Sequence, residues 1–177
     1  MAVIAGLSAA LALISAVAIM FWFYSTHEFS GDGTIEDTGF WSYYRYHIRF
    51  PPISLNQPGE YTFSCRGLPP DPLVLKLRVE GTGEYDQLRS LTTSVRVELF
   101  DETGKPVGKA VGPLHDWIVT GNPAAGLAWS YWHEDFRDIT VRRRRPYRLK
   151  LIVTDIDVNS PHLSVEPMLE GGGNELP

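Results

Sequence analysis

The chain has one cysteine, Cys65, among 177 residues, so no intramolecular disulfide can staple a domain and the fold must be held by its core. No Lys or Arg occurs before Arg45, so the N-terminus lacks the basic leader of a cleaved signal peptide. No cysteine stands just after the first apolar run, where a lipoprotein anchor needs one. There is no Asn-x-Ser/Thr acceptor free of proline, no Gly-x-Ser-x-Gly elbow and no His pair at i, i+4, so the nucleophile-elbow and zinc-protease signatures are absent. Positive charge is also scarce. Lys and Arg total 16 against 21 Asp and Glu, and a net charge of −5 does not suit the broadly basic face that nucleic acid demands.

What is present begins with an uncharged run from Ala2 to Tyr24, interrupted only by Ser8 and Ser15. At about 1.5 Å per residue such a run spans the roughly 30 Å hydrocarbon core of a bilayer. Phe21, Trp22, Phe23 and Tyr24 end it with an aromatic belt. Bulky side chains stand where a signal peptidase needs small ones, so residues 1–24 read as a retained signal-anchor helix. The following flank is acidic, with Glu28, Asp32, Glu36 and Asp37, which implies a single pass through the inner membrane, N-terminus in, with the C-terminal domain periplasmic or extracellular.

Residues 25–39, rich in Gly, Ser, Thr, Asp and Glu, read as an acidic flexible tether, and the folded domain is expected over 40–170. There the apolar pattern has period two, the mark of strands with one buried face. Tyr44, Tyr46, Ile48 and Phe50 alternate with polar neighbours up to Pro51-Pro52. Tyr61, Phe63 and Cys65 follow, then Leu73 to Val79, then Val95, Val97 and Leu99 leading through a turn at 101–106 into Val107 to Val111. Tyr147 to Val153 and a short piece around Leu163 and Val165 complete the series, with a partly helical stretch near Asp86 to Leu91. Such a series predicts an all-β fold, an antiparallel two-sheet β-sandwich of about 7–8 strands behind one transmembrane helix. Residues 171–177 read as a frayed tail.

The spacing of Tyr61-Thr62-Phe63, the Val95 to Val107 hairpin and Pro146-Tyr147-Arg148-Leu149 resembles a group of bacterial envelope β-sandwich proteins of unknown function, over residues 58–170. That resemblance implies a fold and brings no site.

Three concentrations of unusual residues remain. Gly121 to Gly126 reads as a long irregular loop leading into Trp129, Tyr131, Trp132 and His133, followed by Glu134 and Asp135. Aromatics dominate binding hot spots, although Trp129, Trp132 and Phe136 serve equally well to bury one end of a sandwich. Arg142, Arg143, Arg144 and Arg145 must be solvated, paired with acids, or kept for an anionic partner; a run beside an edge strand would also block sheet-to-sheet pairing. Phe40 to Tyr46 places aromatics on both faces of a strand. Cys65 shares a face with Tyr61 and Phe63 and reads as a buried, inert thiol. His47, His115 and His162 are scattered, and no metal or cofactor is expected.

The expected function is therefore a non-enzymatic, membrane-anchored module that binds a protein partner at the envelope, through Trp129, Tyr131, Trp132 and His133 together with Arg142 to Arg145. An immunity-type toxin neutraliser and an accessory subunit of a membrane complex are its two concrete forms. A carbohydrate-binding module stacking a glycan on Trp129, Tyr131 and Trp132 is one alternative, and it requires those rings to be exposed and coplanar. A hydrolase using His133 with Glu134 or Asp135 is another, and it requires those groups to converge.

Overall fold

A computed structural model describes Ser15 and residues 29–37, 46–68, 72–80, 84–122, 124, 127–142, 144–157 and 163–171. The apolar run expected as an anchor lies outside these apart from Ser15; among the described residues no helix is long and apolar enough to cross a membrane. The aromatic stretch before Tyr46 and the tail beyond Gly171 also lie outside.

The chain forms twelve described strands: β1 Ser30–Gly31, β2 Thr34–Asp37, β3 Tyr46–Arg49, β4 Ile53–Ser54, β5 Gly59–Arg66, β6 Leu73–Glu80, β7 Ser94–Phe100, β8 Pro106–Pro113, β9 Ile118–Asn122, β10 Leu127–Trp132, β11 Pro146–Thr154 and β12 Ser164–Gly171. A short α-helix, α1, covers Tyr85–Arg89. The strands make two antiparallel sheets. One is five-stranded in the order β1-β5-β11-β7-β8; the other is seven-stranded, β2-β3-β12-β6-β10-β9, with β4 also beside β12. This is the expected two-sheet architecture, with more strands than periodicity predicts.

Alternation explains why the two sheets face each other. In β11, Tyr147, Leu149, Leu151 and Val153 are buried while Arg148 and Thr154 are exposed. In β6, Leu73, Leu75, Leu77 and Val79 are buried against them from the opposite sheet. At roughly 25 cal/mol per Å² of apolar area removed from water, these two stripes form the main cohesive term of a domain without a disulfide.

Three expectations need correction. The segment read as a tether contributes β1, which pairs Ser30 with Arg66, and β2, which pairs Thr34 with Arg49. Its polar side chains suit edge strands, where one side of the ladder meets water, and Ile35 still packs on the core. The segment from Gly121, read as a long irregular loop leading into Trp129, belongs instead to the β9–β10 hairpin, β9 running to Asn122 and β10 starting at Leu127. Its alternation is hard to see because Gly121, Ala128 and Ser130 leave few bulky apolar side chains to mark a period. The last strand is also longer than Leu163 and Val165 suggest, since β12 runs on to Gly171 beside β6 and β3.

After β10 the chain crosses one end of the sandwich. Ile139 and Leu73 exchange both backbone hydrogen bonds, at 3.0 and 3.1 Å, and Phe136, Ile139 and Val141 are buried there. Gly108 lies directly against this crossing, the end of the Ile139 side chain filling the space a Cβ there would take. The crossing delivers the chain to β11, which lies between β5 and β7.

Candidate functional site

Period two divides the aromatic residues of β10. Tyr131 pairs with Leu77 and faces the core, and Trp129 shares that face; Trp132 pairs with Lys76 and faces outward. Tyr131 is fully buried, and its hydroxyl donates to Leu88 O at 2.8 Å. Burial pushes its phenol pKa up. Tyr131 is thus a core residue rather than part of a binding surface, and the three rings cannot form one coplanar platform. Trp129 is half-buried and stacks on Tyr85 of α1, with centroids 5.4 Å apart and planes tilted 41°. Arg89 lies 5.8 Å from the centre of the Tyr85 ring.

His133 opens a tight helical turn over Glu134–Phe136, where its Nδ1 accepts from the Asp135 amide at 3.2 Å. Its ring meets Trp117 edge-on at 5.3 Å. The Asp135 carboxylate is 3.7 Å from Nδ1 and largely exposed, as is Glu134. The imidazole is engaged as a cap and a packing surface. Among the described residues no three His, Cys, Asp or Glu side chains are grouped as metal ligands would be.

The arginine run leads into β11 through a turn in which Arg145 N donates to Arg142 O, at 3.4 Å, and Arg144 takes a positive φ of 65°. Arg143 lies outside the described residues. Arg142, Arg144 and Arg145 are exposed; Arg145 is paired with Glu102 at 3.0 Å, and Arg142 N donates to the Tyr147 hydroxyl at 2.6 Å. Because β11 is an interior strand, the run does not guard a sheet edge. Nor does it adjoin the β9–β10 turn. That turn lies beyond Ser130, on the side of the Glu80 end of β6, whereas the chain reaches the arginines after Ile139 pairs with Leu73 at the other end. The hairpin tip and the arginine run therefore stand at opposite ends of the sandwich.

The outer face of the seven-stranded sheet holds what the sequence reading missed. Its cross-strand rows place Glu36 beside His47, Glu170 and Val74; Thr34 beside Arg49, Met168, Lys76, Trp132 and Ile118; and Glu166 beside Arg78, Ser130 and Thr120. Ion pairs lace these rows. Lys76 Nζ is 2.5 Å and His47 Nε2 3.5 Å from the Glu170 carboxylate, Arg78 is 3.1 Å from Glu166, and Arg49 is 3.1 Å from Glu36. Glu170 is only 3% exposed. His47 has its pKa lowered, chiefly by burial, with Arg49 and Lys76 adding to the effect and Glu170 opposing it. Trp132 is half-buried, and its side chain has no ring or hydrogen-bond partner among the described residues. The alternation of Lys76 with Arg78 and of Glu166 with Glu170 is visible in the sequence; only strand register shows that these positions are neighbours.

Cys65 is buried as expected, and burial, with the Asp32 carboxylate second, pushes its thiol up to about 12. That excludes a thiolate at neutral pH.

No family model and no curated protein matches this sequence. Among solved structures, the chain is similar to the CBM27-1 module of Caldicellulosiruptor saccharolyticus, solved with mannohexaose, at a TM-score of 0.41 and 10% identity over 84% of this chain and 92% of that one. It is also similar to part of the enzymatically active domain of tailspike protein 4 from bacteriophage CBA120, at a TM-score of 0.34 and 12% identity over 84% of this chain and 20% of that one. Xylanase10C from Cellvibrio japonicus, solved with xylopentaose, gives a TM-score of 0.31 and 8% identity over 82% of this chain and 27% of that one. At TM-scores of this size, likeness assigns no function.

Proposed function

We propose that this chain is a non-enzymatic binding module, anchored in the membrane by residues 1–24, that holds a glycan outside the cytoplasm on the outer face of its seven-stranded sheet. The observation that carries the reading is the half-buried, outward-facing Trp132 beside Lys76, whose side chain has no ring or hydrogen-bond partner among the described residues, in a face whose acids and bases are cross-linked by ion pairs. A pyranose ring presents an apolar C–H face and a rim of hydroxyls. The indole suits the first, and Arg78, Glu166, Lys76 and His47 offer donors and acceptors to the second. Ion pairing fixes these side chains before the ligand arrives, which lowers the entropy lost on binding. The anchor reading rests on the uncharged run and its aromatic end.

The test is affinity electrophoresis of the detergent-solubilised full chain through gels containing envelope polysaccharides. Retardation that Trp132→Ala weakens about tenfold or more is expected, with Trp129→Ala, on the other side of the sheet, unchanged. Wild-type mobility unaffected by every polysaccharide, or equal retardation of Trp132→Ala, overturns the reading.

A protein partner is the second reading, with an immunity-type toxin neutraliser or an accessory subunit as its forms. It is favoured by the surface cluster of Tyr85, 40% exposed, with Trp129 and Arg89, residue types that recur at interface hot spots. A stoichiometric partner captured from native membranes by the wild type and lost with Tyr85→Ala and Trp129→Ala supports it; capture that survives both substitutions counts against that surface.

A further inference from the structure

The outer face of the five-stranded sheet ends, on the arginine side, in a groove of about 440 Å³ bounded by β1, the ends of β5 and β11, and the β7–β8 turn. Arg66 and Arg148 both line it. Arg66 stands opposite Pro146 on one side and Ser30 on the other, so neither neighbour offers a carboxylate. Arg148 stands between Ser64 and Phe100, with its guanidinium 5.5 Å from the centre of the Phe100 ring. Arg66 spends Nε on Arg144 O, at 3.3 Å. Neither arginine has an ion pair among the described residues. On the same sheet face Lys150 is paired with Glu60 at 2.8 Å and Lys109 with Glu98 at 3.7 Å. Arg96 also lacks a carboxylate, but it stands opposite Ile152, well along β7 from the groove.

The acids around the groove are already engaged. Asp101 Oδ1 accepts from the Thr103 amide and hydroxyl and from the Lys105 amide, at 2.7 to 3.0 Å. Glu102 is held by Arg145, and Asp32 accepts from Ser64 N at 2.6 Å. The wall contributed by β1 is tight against β5: a Cβ on Gly31 would collide with Ser64 O. Ser30 and Ser64 add hydroxyl donors at the same rim.

We propose that this groove binds a phosphoryl group, taken by the guanidinium groups of Arg66 and Arg148 with the hydroxyls of Ser30 and Ser64. A tetrahedral oxyanion offers several acceptor oxygens to a donor-rich wall, and guanidinium donors meet it in pairs. Two sources share this chemistry, a lipid headgroup and a soluble phosphate ester. Ser30 follows the apolar run by six residues, at most about 20 Å of extended chain, so the groove is within reach of a bilayer surface. The headgroup source rests on the proposed anchor; the soluble source does not.

The experiment uses the full chain throughout. In detergent, inorganic phosphate is titrated calorimetrically into the wild type, Arg66→Gln/Arg148→Gln and Arg96→Gln. Saturable binding is expected, weakened about tenfold or more in the double variant and unchanged in Arg96→Gln, which lies outside the groove. In nanodiscs, hydrogen exchange of residues 60–66 and 146–150 is compared between phosphatidylcholine alone and phosphatidylcholine with phosphatidylglycerol. Protection that appears only with the anionic lipid and disappears in the double variant assigns the headgroup source. Protection that follows added phosphate, whatever the lipid, assigns the soluble one. Should the double variant fail to melt cooperatively, Arg66→Lys/Arg148→Lys replaces it, keeping charge while removing the planar fork, and weaker binding is again expected. The proposal fails if neither phosphate nor anionic lipid affects the wild type, or if Arg96→Gln weakens binding as much as the groove variant does.

Discussion

The hydroxyl of Tyr131 donates to Leu88 O at 2.8 Å, tying β10 to the short helix α1 from inside the core. The two residues are 43 apart in the chain and both fully buried. Helix α1 has only five residues, too short to persist by propensity alone, so its place depends on contacts of this kind. Tyr131→Phe keeps the ring and removes the donor, leaving Leu88 O with one long bond from Leu91 N at 3.5 Å. A loss of about 1–2 kcal/mol is expected in urea unfolding. An unchanged midpoint would mean that the bond contributes nothing net.

Lys76 and Glu170 set up a sharper contrast. The carboxylate is 3% exposed with the ammonium 2.5 Å away. Lys76→Met leaves that charge buried with, among the described residues, only His47 beside it, and a cost of about 3–5 kcal/mol is expected. The double variant Lys76→Met/Glu170→Leu removes both charges and recovers most of the loss. Chemical denaturation of the wild type, the single and the double variant measures this. If the single variant loses less than about 1 kcal/mol, the pair does not govern this part of the sheet.

His47 makes stability depend on pH. Its folded pKa lies below the ordinary 6.5, first because of burial and then because of Arg49 and Lys76, with Glu170 and Glu36 only partly offsetting them. The unfolded chain therefore takes up a proton before the folded one as pH falls. The contribution of His47 is complete above about 6.5 and declines as pH drops from there toward its folded pKa. Melting temperatures followed from neutral to mildly acidic pH should fall less in His47→Gln than in the wild type. Parallel curves for the two proteins would show that His47 is not the group responsible.

Much of the architecture is legible before any coordinates. The stripes Leu73 to Val79, Val95 to Leu99 and Tyr147 to Val153 alternate cleanly because each strand has one apolar and one polar face, and all three are strands where expected. The buried thiol of Cys65 is legible for the same reason. The edge strands β1 and β2 and the β9–β10 hairpin are not, because glycine, serine and short polar side chains carry almost no periodicity.

The candidate site divides along the same line. Residue types alone draw attention to Trp129, Tyr131, Trp132 and the arginines, but type does not determine which face of a strand a residue takes. Register does. One residue's difference sends Tyr131 into the core and Trp132 to the surface.

The sequence by itself determined the period-two pattern, hence an all-β sandwich with a core and no covalent staple, and the uncharged run that precedes it, since both follow from the local order of apolar and polar side chains. Tertiary structure alone decided which distant residues share a face. Glu170 meets Lys76 and His47, and Arg66 shares a groove with Arg148, because strand order and pairing register bring them together across long stretches of chain. Side-chain order along a strand repeats every two residues and is written locally; the neighbour across the ladder is set by which stripes bury each other best, a property of the whole chain.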